Sequence, residues 1–355
     1  MEYAMSDQGT MKRDANDYLT YLNAEGKVRT FSGIQPSGEV HIGNYLGAIS
    51  NWVDFLDDYD CFFCIVDHHA TTIAYDPARM PERVFDAAVA NIAAGLDPER
   101  CVIFVQSEVP QHTELAWIFN TVTPFGDLSR MTQFKQKSQQ HEENINVGLF
   151  TYPVLQAADI LLYKAGAVPV GEDQVQHIEL AREIARKFNA RYGEVFPECQ
   201  AHLTPAKRIM GLDGENKMSK SLGNTIGLLE EPESIWRKLG PAKTDERRKR
   251  KTDPGVPEDC NVYTSYHRYF SSPEDLSWIQ EGCTTAGIGC LQCKKRLFKN
   301  MLAVLDPIRE KADDLRSRPD YIHDVLSAGA ERCRNIAAAV IDEALTAMGL
   351  HRNRA

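Results

Sequence analysis

Val28 to Ile34 reads VRTFSGI, and the chain runs on from Gln35 to Asn44 as QPSGEVHIGN. A short β-prone run stops at a Pro-Ser-Gly turn, and from His41 to Phe55 apolar residues recur at helical spacing. The stretch therefore reads as strand, loop and helix. Cys61 to Val66 (CFFCIV) and Val102 to Gln106 (VIFVQ) are unbroken apolar runs of strand length, the kind buried on both faces of a parallel sheet. Between them, Pro81 to Gly95 is alanine-rich, with helical spacing and a closing glycine. Strands alternating with helices predict an α/β fold with a parallel sheet.

Downstream, His177 to Asn189 reads as a helix, and Gly211 to Gly227 as a mobile Gly-, Lys- and Ser-rich loop. After about Leu228 the strand signals fade. Ser234–Leu239, Lys294–Leu305 and Ala328–Met348 all have helical spacing, which predicts a helical last third. The 355 residues suggest two domains, and the expected division is a polar N-terminal extension at 1–27, a Rossmann-like domain at 28–227 and a helical domain at 228–355.

The first 27 residues lack the apolar core of a secretory signal, and no stretch is apolar enough to span a membrane. A cytoplasmic protein is expected. Nine cysteines, an odd number, then argue for free thiols or metal ligands over a disulfide framework. The net charge of −10 argues against indiscriminate nucleic-acid binding, but residues 236–300 carry 13 Lys and Arg against 8 Asp and Glu. An acidic chain can still present one basic face.

Two motifs carry chemistry. Gly33-Ile34-Gln35-Pro36-Ser37-Gly38, leading into His41-Ile42-Gly43-Asn44, falls where the first strand turns into the first helix, a place that suits a nucleotide. Gly43 would let an adenine ring lie against the helix, and His41 and Asn44 could donate to phosphate oxygens. Lys217-Met218-Ser219-Lys220-Ser221 supplies two lysines three apart, able to close over a triphosphate and neutralise departing pyrophosphate.

HIGN followed by KMSKS resembles the two signatures of class I aminoacyl-tRNA synthetases. With GIQPSG (33–38), MTQFKQKS (131–138), YPVLQAADILLY (152–163) and VPVGEDQVQH (168–177), the chain looks like the bacterial-type tryptophanyl-tRNA synthetase family over roughly residues 29 to 350. The resemblance implies a class I Rossmann-like sheet with a C-terminal helical, anticodon-binding domain. On the ATP side it implies Gln35, Pro36, Ser37, Gly43, Asn44, Gly171, Glu172, Asp173, Lys217, Met218, Ser219, Lys220 and Ser221, with His41, Asn44, Lys137, Lys217 and Lys220 in catalysis.

On the amino-acid side it implies that Asp159 accepts the indole N–H, that Tyr152 and Gln174 hold the α-amino group, and that Phe31, Val168 and Val170 form walls. Gln156 departs from the pattern, since many relatives carry methionine there. Its amide would make a water-mediated contact or tighten the hydrogen bonds around Asp159. The implied reaction joins L-tryptophan to tRNA(Trp) through a tryptophanyl-adenylate, with ATP bound as its Mg²⁺ complex and a homodimer as the working form. Rival readings are a tyrosine-specific relative, an adenylyltransferase that never meets RNA, and a cluster-bearing tRNA-binding regulator with a synthetase-like core.

Cys260, Cys283, Cys290 and Cys293 form C-x22-C-x6-C-x2-C with glycines between, a pattern that both zinc and iron–sulfur sites use. Spacing alone does not choose. The resemblance extends to a subgroup whose C-terminal domain binds a [4Fe-4S] cluster, with zinc the lesser possibility and Lys294, Lys295 and Arg296 adjacent. Cys61 and Cys64 lie on a predicted strand and would face opposite ways. Cys101, Cys199 and Cys333 read as isolated buried thiols. The run from Lys243 to Lys251 is the strongest basic stretch and a candidate tRNA phosphate contact.

Overall fold

The structure, a computed structural model, describes residues 9–13, 18–132, 146–203 and 209–350. Within the expected N-terminal extension, β1 (Thr10–Arg13) pairs antiparallel with β2 (Leu19–Leu22), so its described part includes a two-stranded sheet. Alternation in Leu-Thr-Tyr-Leu explains it, because Leu19 and Tyr21 point inward and are buried. The Arg29 guanidinium lies 4.7 Å from the Tyr21 ring centre.

Five strands form the main sheet: β3 (Arg29–Ile34), β4 (Asp60–Ile65), β5 (Val102–Val105), β6 (Ala167–Val170) and β7 (Gln200–Leu203). All neighbours are parallel, in the order β5-β4-β3-β6-β7. The chain walks outward from β3 to β5, crosses over the sheet, and walks outward the other way from β6. At the carboxyl ends of β3 and β6 this reversal opens a crevice, the place where open α/β sheets bind ligands. The sequence signals marked β3 to β5. β6 and β7 are only four residues each, and Pro169 interrupts the first.

The two sheet faces bury separate cores. Ile42, Ile49, Trp52, Phe63 and Ile65 pack on one, and Phe31, Phe62, Phe104, Val154 and Ile160 on the other. Cys61 belongs to the first and Cys64 to the second, as a period of two requires. The last third is helical, with Pro232–Leu239, Pro273–Thr284, Cys290–Arg316 and Pro319–Ala347.

This helical third is divided between the cores. Ile322 and Leu326 of the final helix join the first, whereas Ala330, Cys333, Ala337 and Ala344 join the second. That helix packs on edge strand β5, and a Cβ at Gly329 would collide with the Ile103 carbonyl oxygen. Glycine lets the helix cover an otherwise open sheet edge. Among the described residues, no helix is long and apolar enough to cross a membrane.

Candidate active site

A cavity of about 320 Å³ occupies the crevice between β3 and β6. Phe31, Tyr152, Gln156, Asp159, Val168, Val170 and Gln174, the seven residues expected on the amino-acid side, all line it, as do Gln35 and Gly171. Trp52, His69 and Ile160 line it too, and the sequence reading did not include them.

Asp159 is 1% exposed, at the bottom of the helix Val147–Leu161. Three side chains hold its carboxylate. Gln106 Nε2 donates to Oδ1 at 2.7 Å, His112 Nδ1 lies 2.6 Å from the same oxygen, and His69 Nε2 lies 2.8 Å from Oδ2. Burial alone would raise the pKa, but the bonds from His112 and His69 outweigh it and hold Asp159 ionised, below the usual carboxylate range. Oδ1 carries two donors and Oδ2 only one, so Oδ2 retains capacity for a donor entering the cavity. His69, Gln106 and His112 come from three segments. Their signal was polar residues just after buried strands, which places them at the carboxyl ends of β4 and β5.

Tyr152 Oη lies 2.9 Å from His177 Nε2, and burial pushes the phenol up to about 12. Gln156 makes no direct bond to Asp159. Its Nε2 donates to Gln174 Oε1 at 3.4 Å, and Gln174 Nε2 donates to Asp173 Oδ2 at 2.9 Å. The amide thus joins a chain toward Asp173 and not the set around Asp159, which consists of His69, Gln106 and His112.

Across the cavity mouth, His41 caps the first helix turn. Asn44 N–H donates to His41 Nδ1 at 3.2 Å, and His41 N–H donates to Asn44 Oδ1 at 3.1 Å. Accepting at Nδ1 leaves Nε2 to carry the proton and donate. Burial, then the charges of Lys220 and Lys217, push His41 down to about 4, so the ring is neutral near pH 7. Gly43 has a nearer reason to be glycine than an approaching base. A Cβ there would stand 2.9 Å from His41 Nδ1 and 3.5 Å from Met218 Sδ.

The second motif folds onto the first. Met218 is buried, its N–H donates to Ile209 O at 2.9 Å, and Ser219 N–H donates to Asn224 Oδ1 at 2.8 Å. Lys220 Nζ donates to Gly38 O at 3.0 Å, and Gly38 sits at φ +127°, where only glycine is comfortable. The segment read as a mobile loop is pinned at these points, because its apolar and polar side chains each find partners. Lys217 is exposed. Pro36 is buried and Ser37 exposed. Glu172 and Asp173 are exposed, and a Cβ at Gly171 would stand 2.9 Å from Asp173 Oδ1. Lys137 lies outside the described residues, as does the side chain of Ser221.

Residues 23–306 match the family described as class I tRNA synthetases (W and Y). The chain belongs to this family. The tryptophan–tRNA ligase of Deinococcus radiodurans is 54% identical over 326 residues, covering 90% of this chain and 98% of the relative. That of Thermotoga maritima is 45% identical over 328 residues, covering 91% and 99%. The crystal structure of tryptophanyl-tRNA synthetase from Campylobacter jejuni, complexed with ADP and tryptophan, superposes with a TM-score of 0.82 at 35% identity. It covers 91% of this chain and 100% of that one. A tyrosyl-tRNA synthetase from Archaeoglobus fulgidus, 21% identical with a TM-score of 0.62, shares the class I fold.

Away from this synthetase crevice, Cys260, Cys283, Cys290 and Cys293 line one small cavity with Val262, Ile288 and Arg248. Arg248 Nη1 donates to Cys283 Sγ at 3.6 Å, and Cys293 Sγ lies 3.2 Å from His267 Nε2. Burial, reinforced by the other three cysteines, pushes the Cys293 thiol up to about 12. Among the described residues, no three His, Cys, Asp or Glu side chains are arranged to hold one metal ion.

The basic run is less free than its sequence suggests. Lys243 pairs with Glu215 and Glu246, Arg247 pairs with Asp245 and Asp259, and Arg248 donates to Ile288 O. Lys249, Arg250 and Lys251 are exposed. Lys294, adjacent to the cysteines in sequence, is 6% exposed. Its Nζ donates to Gly240 O at 2.7 Å and Ala242 O at 2.6 Å, because it tethers the carbonyls that follow the helix Pro232–Leu239.

Proposed function

We infer that this chain is an ATP-dependent tryptophan–tRNA ligase. The observation that carries the reading is a buried, ionised Asp159 at the floor of an aromatic cavity, with one oxygen held by a single donor. Indole has one polar atom, an N–H that only donates, and a fixed acceptor recognises it. A site that needs this donor rejects rings that lack it, because the carboxylate is otherwise left underpaired.

In the first step the tryptophan carboxylate attacks the α-phosphorus of ATP in line, giving tryptophanyl-adenylate and pyrophosphate. Positioning and charge neutralisation suffice for this chemistry. Neutral His41 offers Nε2–H to phosphate oxygen, and Asn44 offers its amide. Lys217 and Lys220, with Lys137 by resemblance, neutralise the charge that gathers on pyrophosphate. Gln35, Pro36, Ser37, Gly43 and Gly171 bound the nucleotide, Met218, Ser219 and Ser221 carry the lysines, and Glu172 and Asp173 face the ribose. Tyr152 and Gln174 orient the ammonium. Mg²⁺ arrives with ATP, held chiefly by phosphates. In the second step a terminal-adenosine 2′-OH of tRNA(Trp) attacks the activated carbonyl and AMP leaves. The reaction belongs to the cytoplasm, where tRNA is charged.

Residues 28–227 would carry the chemistry, and 228–355 the anticodon contact. Lys249, Arg250, Lys251 and Lys295 are the exposed cations that suit tRNA phosphates. The four clustered cysteines fit a thiolate-bound metal group, being soft donors on one cavity with Arg248 to offset charge. By resemblance that group is a [4Fe-4S] cluster, with zinc the lesser possibility. Trp117, Phe125 and Val147, all exposed on adjacent helices, support a homodimer.

Tryptophan-dependent pyrophosphate exchange, followed by charging of tRNA(Trp), tests the activity; exchange with tyrosine alone would overturn it. Iron, sulfide and zinc analysis after anaerobic purification tests the cysteine site. Iron with sulfide supports the cluster, and zinc without iron, or neither metal, rejects it.

A further inference from the structure

Tyr163 does not line the cavity, yet it stands behind both surfaces that would meet the indole. It is fully buried. Its ring stacks on Phe31 with centroids 5.6 Å apart and planes 6° apart, and on Phe62 at 5.1 Å and 17°. Phe31 is a cavity wall. The Tyr163 hydroxyl lies 2.7 Å from His112 Nε2, and His112 Nδ1 lies 2.6 Å from Asp159 Oδ1. One phenol therefore touches the wall through its ring and reaches the carboxylate through its oxygen.

The chain of bonds has a direction. A carboxylate only accepts, so His112 Nδ1 must carry a proton. Whenever Nε2 carries no proton it accepts, and the Tyr163 O–H is then the donor to it. The hydroxyl also bonds the side chain of Cys333, on the helix that covers β5. Arg29 Nη1 holds Tyr163 from behind by donating to its carbonyl oxygen at 3.2 Å, and Arg29 is itself paired with Asp60. The phenol is fixed on every side.

We propose that Tyr163 is a positioning residue for tryptophan specificity, setting the Asp159 carboxylate through His112 while it backs the Phe31 wall. This rests on the reading that Asp159 accepts the indole N–H. Without the hydroxyl, His112 Nε2 loses its partner and the ring loses the bond that fixes its angle, so its Nδ1–H is no longer held on Oδ1 and Gln106 is left as that oxygen's fixed donor. The carboxylate can then rotate, and Oδ2 no longer stays aimed at the indole nitrogen. Apolar contacts, which do not depend on that angle, remain.

Tyr163→Phe keeps the ring stack and removes only the hydroxyl. Pyrophosphate exchange is measured with tryptophan and with 3-benzothienylalanine, in which sulfur replaces the indole N–H. The tryptophan-over-analogue ratio of kcat/KM is expected to fall about tenfold, through the KM for tryptophan, with the analogue little changed. His112→Gln is expected to lower the same ratio. The double variant should lose no more than the larger single loss, since both act along one path. An equal fall on both substrates, or no fall, overturns the proposal.

Asp159→Ala separates the two readings. If it collapses the ratio while Tyr163→Phe does not, only the positioning role fails. If Asp159→Ala leaves the ratio intact, the indole reading fails and takes the positioning role with it. Thermal melts identify a variant that does not fold, and should Tyr163→Phe be one, His112→Gln decides.

Discussion

Lys220 Nζ donates to the carbonyl oxygen of Gly38 at 3.0 Å, joining two loops 182 residues apart. The bond holds the second signature against the turn that precedes the first, with Met218 buried under Gly43 and His41. A lysine placed so has given up part of its hydration, and burial, with Arg83 adding to it against the pull of Glu39, takes it down to about 8.

This gives adenylate formation an alkaline limb. The ammonium is lost as pH rises through about 8 in the free enzyme, so kcat/KM for ATP should fall above that point. Bound phosphates favour the charged form, so the limb in kcat should lie higher. Lys220→Arg should carry the kcat/KM limb out of range, because guanidinium stays charged. A flat kcat/KM profile to pH 9.5 for the unaltered protein would reject the assignment.

Gly43→Ala places a methyl group 2.9 Å from His41 Nδ1. The ring must move, and with it the Nε2–H offered to phosphate. We expect kcat/KM for ATP to drop by about 10-fold to 100-fold. The melting temperature should change by only a few degrees, since the clash is with one side chain at the cavity mouth. Unaltered exchange kinetics would show that His41 does not act from its present position.

Lys294 and the exposed cations at 249–251 should behave oppositely. Lys294→Met removes two hydrogen bonds to backbone carbonyls and should cost about 1–3 kcal/mol of stability, read by denaturant unfolding, with tRNA affinity in the folded protein unchanged. The triple change Lys249→Gln, Arg250→Gln, Lys251→Gln should leave stability and adenylate formation alone. It should weaken tRNA binding and flatten its salt dependence. Equal tRNA affinity in the triple variant would move the phosphate contact elsewhere.

Trp117 is 71% exposed and Phe125 75%, the latter tilted against Phe150 with ring centres 5.1 Å apart. If two copies meet on this face, Trp117→Lys with Phe125→Glu should yield monomers in sedimentation equilibrium at micromolar protein. Their melting should be little altered, because neither residue contributes to a core. A dimer of undiminished strength would place the interface on another face.

Much of the site was legible because its parts are local. A strand that stops at Gly-Ile-Gln-Pro and a helix that opens at His-Ile-Gly-Asn are written in consecutive residues, and so is the lysine pair at 217 and 220. The amino-acid side was legible by resemblance, residue by residue, and all seven positions line one cavity. The pairing of Thr10–Arg13 with Leu19–Leu22 escaped because the alternation covers only four residues in a polar setting. The fate of Lys294 escaped because a lysine's burial depends on which carbonyls happen to stand within reach.

The sequence by itself determined the alternation of strands and helices, the two signature loops, and the opposite facing of Cys61 and Cys64, since each follows from spacing along one segment. Only the tertiary structure decided what surrounds Asp159. His69, Gln106 and His112 lie 90, 53 and 47 residues away, and parallel pairing of β3, β4 and β5 brings their carboxyl ends together. A carboxylate in water accepts from anything, whereas one buried among three fixed donors has a single direction left, and that direction exists only once the strands are side by side.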